Sequence, residues 1–188
     1  MTGERNPASI RRMRADDLDM VLAWRNAPSV RSMMFNPDII ERTQHQSWFE
    51  QTSLAVRRAL LIVAWEDEPL GFVQFDGVEP GGVSDWGFYA RPGAPRGSGR
   101  ILGRTALDHG FGALQLHKIC GRAIAFNTAS IRLHARLGFQ QEGLLREQHR
   151  IDGVHHSVLC FGLLRHEWQA TGNEHPQNPF PQSEERAK

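Results

Sequence analysis

Residues Arg96, Gly97, Ser98, Gly99, Arg100 and Ile101 stand between a strand-like run at 86–90 and a helical pattern that reaches residue 114. Two glycines let the backbone turn its N–H groups toward one point, and the first turn of a helix adds unpaired donors and a positive dipole end. Such a loop suits phosphate, and a plain connecting turn is the other reading it allows. Arg96 and Arg100 are placed either to add charge-assisted contacts or to remain solvated. Some thirty residues on, the pattern Asn127-x-x-Ser130-x-x-x-His134-x-x-x-Gly138-Phe139 puts Ser130 and His134 four apart, on one face of a helix that Asn127 opens and Gly138 ends. The two cysteines, Cys120 and Cys160, lie in apolar strand-like runs without the spacing of a zinc site or disulfide framework, and read as buried core thiols. Cys120 has no neighbouring histidine pattern and is a poor nucleophile.

The elements that must position these groups follow from pattern. A strand at 9–14 leads through the capping residues Ala15, Asp16 and Asp17 into a helix to Ala27, which Pro28 stops. A second helix begins near Thr43, with Trp48, Phe49 and Val56 as apolar positions. Runs at 60–65 and 70–78 form a hairpin across a turn at 66–69, and Gly81 and Gly82 turn into the strand that feeds the glycine loop. In the helix after that loop, Leu102, Ala106, Leu107, Phe111 and Leu114 share one face, while Arg104 and Asp108 share the other. A strand at 118–126, a helix at 129–137, and a hairpin to 164 turned at Asp152 and Gly153 complete the order. This is an α+β domain with a mixed sheet, and it is not doubly wound. One domain is expected over residues 1–170, with 171–188, rich in Pro, Gln, Asn, Glu and Ser, as a disordered tail. A formal net charge of +1 gives no sign of bulk attraction to nucleic acid, and no apolar run approaches a membrane span, so a cytoplasmic protein with a small partner is expected.

Together, the loop at 96–100 after a strand and the pattern from Asn127 to Phe139 resemble the GNAT superfamily of acyl-CoA-dependent N-acetyltransferases, over roughly residues 9–168. The resemblance implies a GNAT-type mixed, splayed central sheet with helices on both faces, and acetyl-CoA as co-substrate. It assigns the pyrophosphate to the amides of residues 96–101. Ile101 stands where family loops carry Gly or Ala, and is expected to crowd the phosphate. The pantetheine arm would lie between the strands at 86–90 and 118–126, beside Asn127 and Ser130, although Asn127 also fits as a simple helix cap. Backbone N–H groups near Phe88 and Tyr89 would polarise the thioester. His134 replaces the tyrosine that in many relatives protonates the departing thiolate. An imidazole would give its proton from a minor imidazolium fraction or a neutral N–H, or would only line the sulfur pocket. Ser84, Asp85 and Glu142 are the candidates for accepting the amine's proton, with a water chain or ordinary surface groups as alternatives. No metal is called for, and the transfer is direct.

For the acceptor, Trp24, Arg25, Asn26, Arg31, His45 and Trp48 resemble the acetyltransferases of pseudaminic-acid biosynthesis, which act on the 4-amino group of a UDP-linked 4-amino-4,6-dideoxy-N-acetyl-altrosamine. Cations for a diphosphate and aromatic faces for uracil or sugar are the right types, and Trp24 and Trp48 fit equally as core anchors. Glu142 to Arg146, with Asp152 and His156, resemble acetyltransferases of protein N-termini, including ribosomal proteins, although Ser157 replaces the aspartate expected there. Other small amines, a non-catalytic acyl-CoA-binding module, and a homodimer are compatible with the same pattern.

Overall fold

The computed structural model describes residues 7–171. In chain order its elements are β1 (Ala8–Arg12), a short 3-10 turn (Ala15–Asp17), α1 (Leu18–Asn26), α2 (Pro28–Arg31), α3 (Arg42–Ser53), β2 (Arg58–Trp65) and β3 (Glu68–Asp76). There follow β4 (Val83–Ala90), α4 (Ser98–Phe111), β5 (Lys118–Ile124), α5 (Thr128–Arg136), β6 (Gln140–Ile151), β7 (Val154–Leu164) and α6 (Arg165–Ala170). The strands make one sheet in the order β1-β2-β3-β4-β5-β7-β6, antiparallel throughout except where β4 meets β5. Tight turns set the hairpin registers. Asp152 and Gly153 carry φ of 48° and 83°, the left-handed pair that matches strand twist in a two-residue loop.

The β4–β5 junction governs the molecule. These parallel strands pair only at Val83 with Lys118, Ser84 with Ile119, and Asp85 with Cys120; beyond that they part. Helices then cover both faces, as the resemblance implies. On one face α4 buries Ile101, Leu102, Ala106 and Leu107 against Val73, Phe75, Trp86, Ile119 and Leu163. On the other, Leu18, Met20, Trp48 and Phe49 pack on Leu60, Ile62 and Phe72. A buried side chain of this size contributes roughly 1.5–3 kcal/mol, so the sheet's centre is fixed from both sides while its splayed end is left open.

Several local expectations change. Pro28 does not simply stop a helix: it opens α2 at the first helical position, where a missing N–H and a fixed φ cost nothing. Val56 lies outside α3 and is 94% exposed. Cys120 and Cys160 are half-buried rather than core thiols, because both fall on the sheet face that α4 does not cover. Arg104 and Asp108, expected on a solvent face, receive α6: Trp168 Nε1 donates to Asp108 Oδ1 at 2.9 Å, and the Arg104 guanidinium lies 5.3 Å from the Trp168 ring centre. The tail expected at 171–188 lies outside the described residues apart from Thr171. Among the described residues, no helix is long and apolar enough to cross a membrane.

Candidate active site

Where β4 and β5 separate, Trp86 and His134 fill the base of the gap. Trp86 Nε1 lies 3.2 Å from His134 Nε2, and His134 Nδ1 lies 2.8 Å from the Ser130 carbonyl oxygen. An indole nitrogen only donates and a carbonyl only accepts, so the imidazole holds its hydrogen on Nδ1 and offers Nε2 as acceptor. Burial pushes the His134 pKa below the usual histidine value, with the Ser130 carbonyl working weakly against it. The ring is 1% exposed and packs on Trp86, Phe88, Phe139 and Phe161. Gly121 makes this possible: a Cβ there would collide with His134 Nε2 and stand 2.7 Å from Trp86 Nε1. The proton expected of His134 is therefore aimed at its own helix and not at the cleft.

A cleft of about 580 Å³ opens over this base. Ser130, His134 and Asn127 line it from α5, Trp86, Gly87 and Phe88 from β4, and residues 33–36 from the segment between α2 and α3. Its floor carries a charged row across four strands, in which Arg58 bonds Asp76 at 2.6 Å and Arg122 approaches Asp85 at 3.8 Å. A second cleft, of about 330 Å³, adjoins it, lined by Arg25, Ile40, Gln44, His45, Trp48, Phe72, Gln74 and Tyr89. Arg25 and Gln74 line both. In the second cleft His45 and Trp48 stack at 5.0 Å between centres; burial, then the nearby Arg25 charge, lowers the His45 pKa. Burial drives the Tyr89 phenol far above its ordinary range.

A strap at 32–41 closes over these clefts. Asn127 Oδ1 accepts from the Ser130 N–H and caps α5, while its Nδ2 donates to the Met33 carbonyl at 3.3 Å. His149 Nε2 donates to the Phe35 carbonyl at 2.6 Å, Arg25 donates to the Asn36 carbonyl, and Arg31 to that of Pro37 at 2.9 Å. Asn26 exchanges two hydrogen bonds with the Ile40 backbone, at 2.8 and 2.9 Å. Arg25 Nη1 and Arg31 Nε are buried with no hydrogen-bond partner among the described residues.

At the glycine loop, Gly97 takes φ of 97° and caps α4. The amides of Ser98, Arg100 and Ile101 are held by the carbonyls of Pro95 and Gly97. Those of Arg96, Gly97 and Gly99 have no acceptor among the described residues, so the expected six-residue cradle narrows to three donors at a helix N-terminus. Ser98 is buried with its hydroxyl on the Pro95 carbonyl at 2.7 Å. Ile101, 1% exposed, points into the sheet and does not crowd the loop; Arg96 and Arg100 are exposed. Leu133 of α5 lies 3.4 Å from where a Cβ of Gly99 would be, joining the loop to the helix that lines the cleft.

The remaining sequence candidates separate cleanly. Phe88 faces the larger cleft and Tyr89 the smaller, on opposite sides of β4. Asp85 is in the larger cleft. Ser84 is not: it is 0% exposed on the α4 side, and its hydroxyl donates to the Asp76 carbonyl at 2.7 Å. Glu142 is engaged by Lys118 at 2.6 Å. Trp24 lines neither cleft. Asn26 and Arg31 hold the strap, while Arg25, His45 and Trp48 meet in one cavity. Ser157 accepts from the Glu147 N–H at 3.3 Å in the irregular part of β6. Sequence reasoning missed Gln74, Asp76 and Arg122, although a glutamine inside the apolar run of β3 was a visible signal.

Comparison with known proteins agrees with this fold. The family model of the acetyltransferase (GNAT) domain matches residues 9–140. An uncharacterized N-acetyltransferase p20 of Bacillus licheniformis is 28% identical over 167 residues, spanning 85% of this chain and 94% of its own length. A putative ribosomal N-acetyltransferase YdaF of Bacillus subtilis strain 168 is 30% identical over 66 residues, 35% of this chain and 36% of its own. A crystal structure of spermidine N-acetyltransferase from Vibrio cholerae in complex with CoA and spermine has the same fold, with a TM-score of 0.79 at 21% identity, covering 87% of this chain and 98% of that one.

Proposed function

The chain belongs to the acetyltransferase (GNAT) family and is an acetyl-CoA-dependent N-acetyltransferase, and from that premise we propose that its acceptor is the 4-amino group of a nucleotide-linked 4-amino-4,6-dideoxy sugar. The observation that carries this reading is the aromatic second cleft beside the splay. It offers the stacked His45 and Trp48, Phe72 and Tyr89 to a flat ring, and Arg25 at the junction with the acyl-transfer cleft. Arg25 Nη1 is buried with no hydrogen-bond partner among the described residues, and the Arg31 charge acts on Arg25. A diphosphate at the junction of the clefts would satisfy the Arg25 nitrogen and offset its charge beside Arg31.

In this mechanism the acyl-pantetheine arm lies in the gap between β4 and β5, and the pyrophosphate sits on the free amides of Arg96, Gly97 and Gly99. Beyond Asp85 the β5-facing edge of β4 has no strand partner among the described residues, so its amides near Phe88 are available to hold the oxyanion. The neutral amine attacks the thioester carbon, the nitrogen gives up its proton toward Asp85, and the C–S bond breaks to release CoA. The departing sulfur takes its proton from the water of the cleft. His134 serves as a fixed acceptor for Trp86 and shapes the sulfur pocket.

An assay of free CoA thiol tests the acceptor, run with the UDP-linked 4-amino sugar, with spermidine, with an N-terminal peptide, and with none. Release with the sugar at least about tenfold above every other arm is the expected outcome. Release with spermidine or the peptide alone would remove the sugar assignment, and tight acetyl-CoA binding without turnover on any amine would point to a binding module.

A further inference from the structure

The two clefts meet at Gln74. It lies on β3 opposite Gly87 of β4, and the next pair on the same face is Asp76 opposite Asp85. These positions sit beside the last β4–β5 rung, Asp85 with Cys120, where the strands begin to part. Gly87 has no side chain, so that of Gln74 lies across β4: a Cβ at 87 would stand 3.4 Å from Gln74 Cγ and 3.5 Å from Nε2. Gln74 Nε2 donates to Asp76 Oδ2 at 3.2 Å. That bond fixes the carboxamide, since the flipped orientation would set two oxygens against each other. It leaves Oε1 without a donor among the described residues, where the ring-binding cleft opens into the acyl-transfer cleft beside Arg25.

We infer that Gln74 is an acceptor-binding residue: its Oε1 takes an N–H of the incoming amine at the junction of the clefts and turns the nitrogen's lone pair toward the thioester. The inference rests on the acceptor entering through these two clefts, and not on which amine it is. Holding one N–H from the Asp85 side aligns the other proton for departure, an orientation that backbone amides alone cannot impose because they only donate to the oxyanion. A single neutral hydrogen bond of this kind is worth about tenfold in affinity. Its neighbour Asp76 is turned toward Arg58, which leaves the Gln74 oxygen as the neutral acceptor of the floor.

The test measures steady-state kinetics of Gln74→Ala and Gln74→Glu with whichever amine of the panel the unaltered enzyme turns over best, so the acceptor assignment and the role of Gln74 fail separately. For Gln74→Ala the acceptor KM should rise about tenfold, with the acetyl-CoA KM and the thermal midpoint unmoved. Gln74→Glu should raise the KM for a nucleotide sugar further and lower it for spermidine, because it adds a third carboxylate to the floor. An unchanged acceptor KM in Gln74→Ala overturns the inference, and so does a parallel rise in the acetyl-CoA KM, which would mark general disorder of the splay. If the alanine variant folds poorly, Gln74→Asn withdraws the same oxygen by one methylene and must show the same split.

Discussion

His134 shows how one substitution in a familiar pattern changes the chemistry a residue can perform. Its ring is neutral, with Nδ1–H on the Ser130 carbonyl and Nε2 under Trp86 Nε1, and burial holds its pKa below the ordinary value. His45 and His109 are shifted the same way, also by burial. A folded pKa below the unfolded one means that the unfolded chain gains protons first as pH falls. The stability these rings confer is complete above about 6.5 and is lost progressively below it. Asp17, held low by its hydrogen bond with Arg11, acts in a different window, below the usual carboxylate range. Urea midpoints measured at pH 7.5 and 5.5 should therefore fall on acidification, and His134→Gln should flatten the fall by up to about 1.4 kcal/mol per pH unit. A variant with an unchanged slope would show that His134 titrates normally.

At the level of elements, Asn127 joins two structures that no local pattern connects. Its Oδ1 caps α5 and its Nδ2 ties down the strap through Met33. Asn127→Asp keeps the capping oxygen and removes the donor, so its stability should stay within about 0.5 kcal/mol of the parent while the strap becomes easier to cleave in limited proteolysis. Asn127→Ala removes both and should cost about 1 kcal/mol more. Equal stability in the two variants would deny the cap. The cap itself was legible in the sequence, as were the glycine loop, the alternation of strands, and the turn at Asp152 and Gly153, because each depends on neighbours within a few residues. What lay beyond reading was tertiary. Trp24, Asn26 and Arg31 share the right side-chain types with Arg25, yet only packing decides that Arg25 reaches both the clefts and the strap while Asn26 and Arg31 serve the strap. Ile101 looked like an obstruction because its position in the loop is readable and its direction into the core is not.

At the scale of the molecule, the sheet consists of two antiparallel blocks, β1 to β4 and β5 with β7 and β6, joined along the sheet by three residue pairs. The rest of their union comes from α4 and α5 behind, from the close approach that Gly103 allows to Leu137, and from the strap, which Asn127 and His149 hold at Met33 and Phe35. Acetyl-CoA lying in the gap would add a surrogate strand between the blocks and stabilise them by mass action, by about 2.7 kcal/mol at one hundred times Kd. A thermal scan with acetyl-CoA should show the midpoint rising with the logarithm of its concentration. A rise without added amide protection along β4 and β5 would place the arm elsewhere.

That seam has a consequence for how the protein breathes. With so few rungs, opening along it exposes little backbone that was paired, so the two blocks should exchange amide hydrogens as separate cooperative units, the β2–β3 ladder the more slowly, and the seam's own amides first. Acetyl-CoA bound there would then act as a suture, merging two protection levels into one, and ease of parting at the seam would be what admits a long, flexible arm into the middle of a sheet.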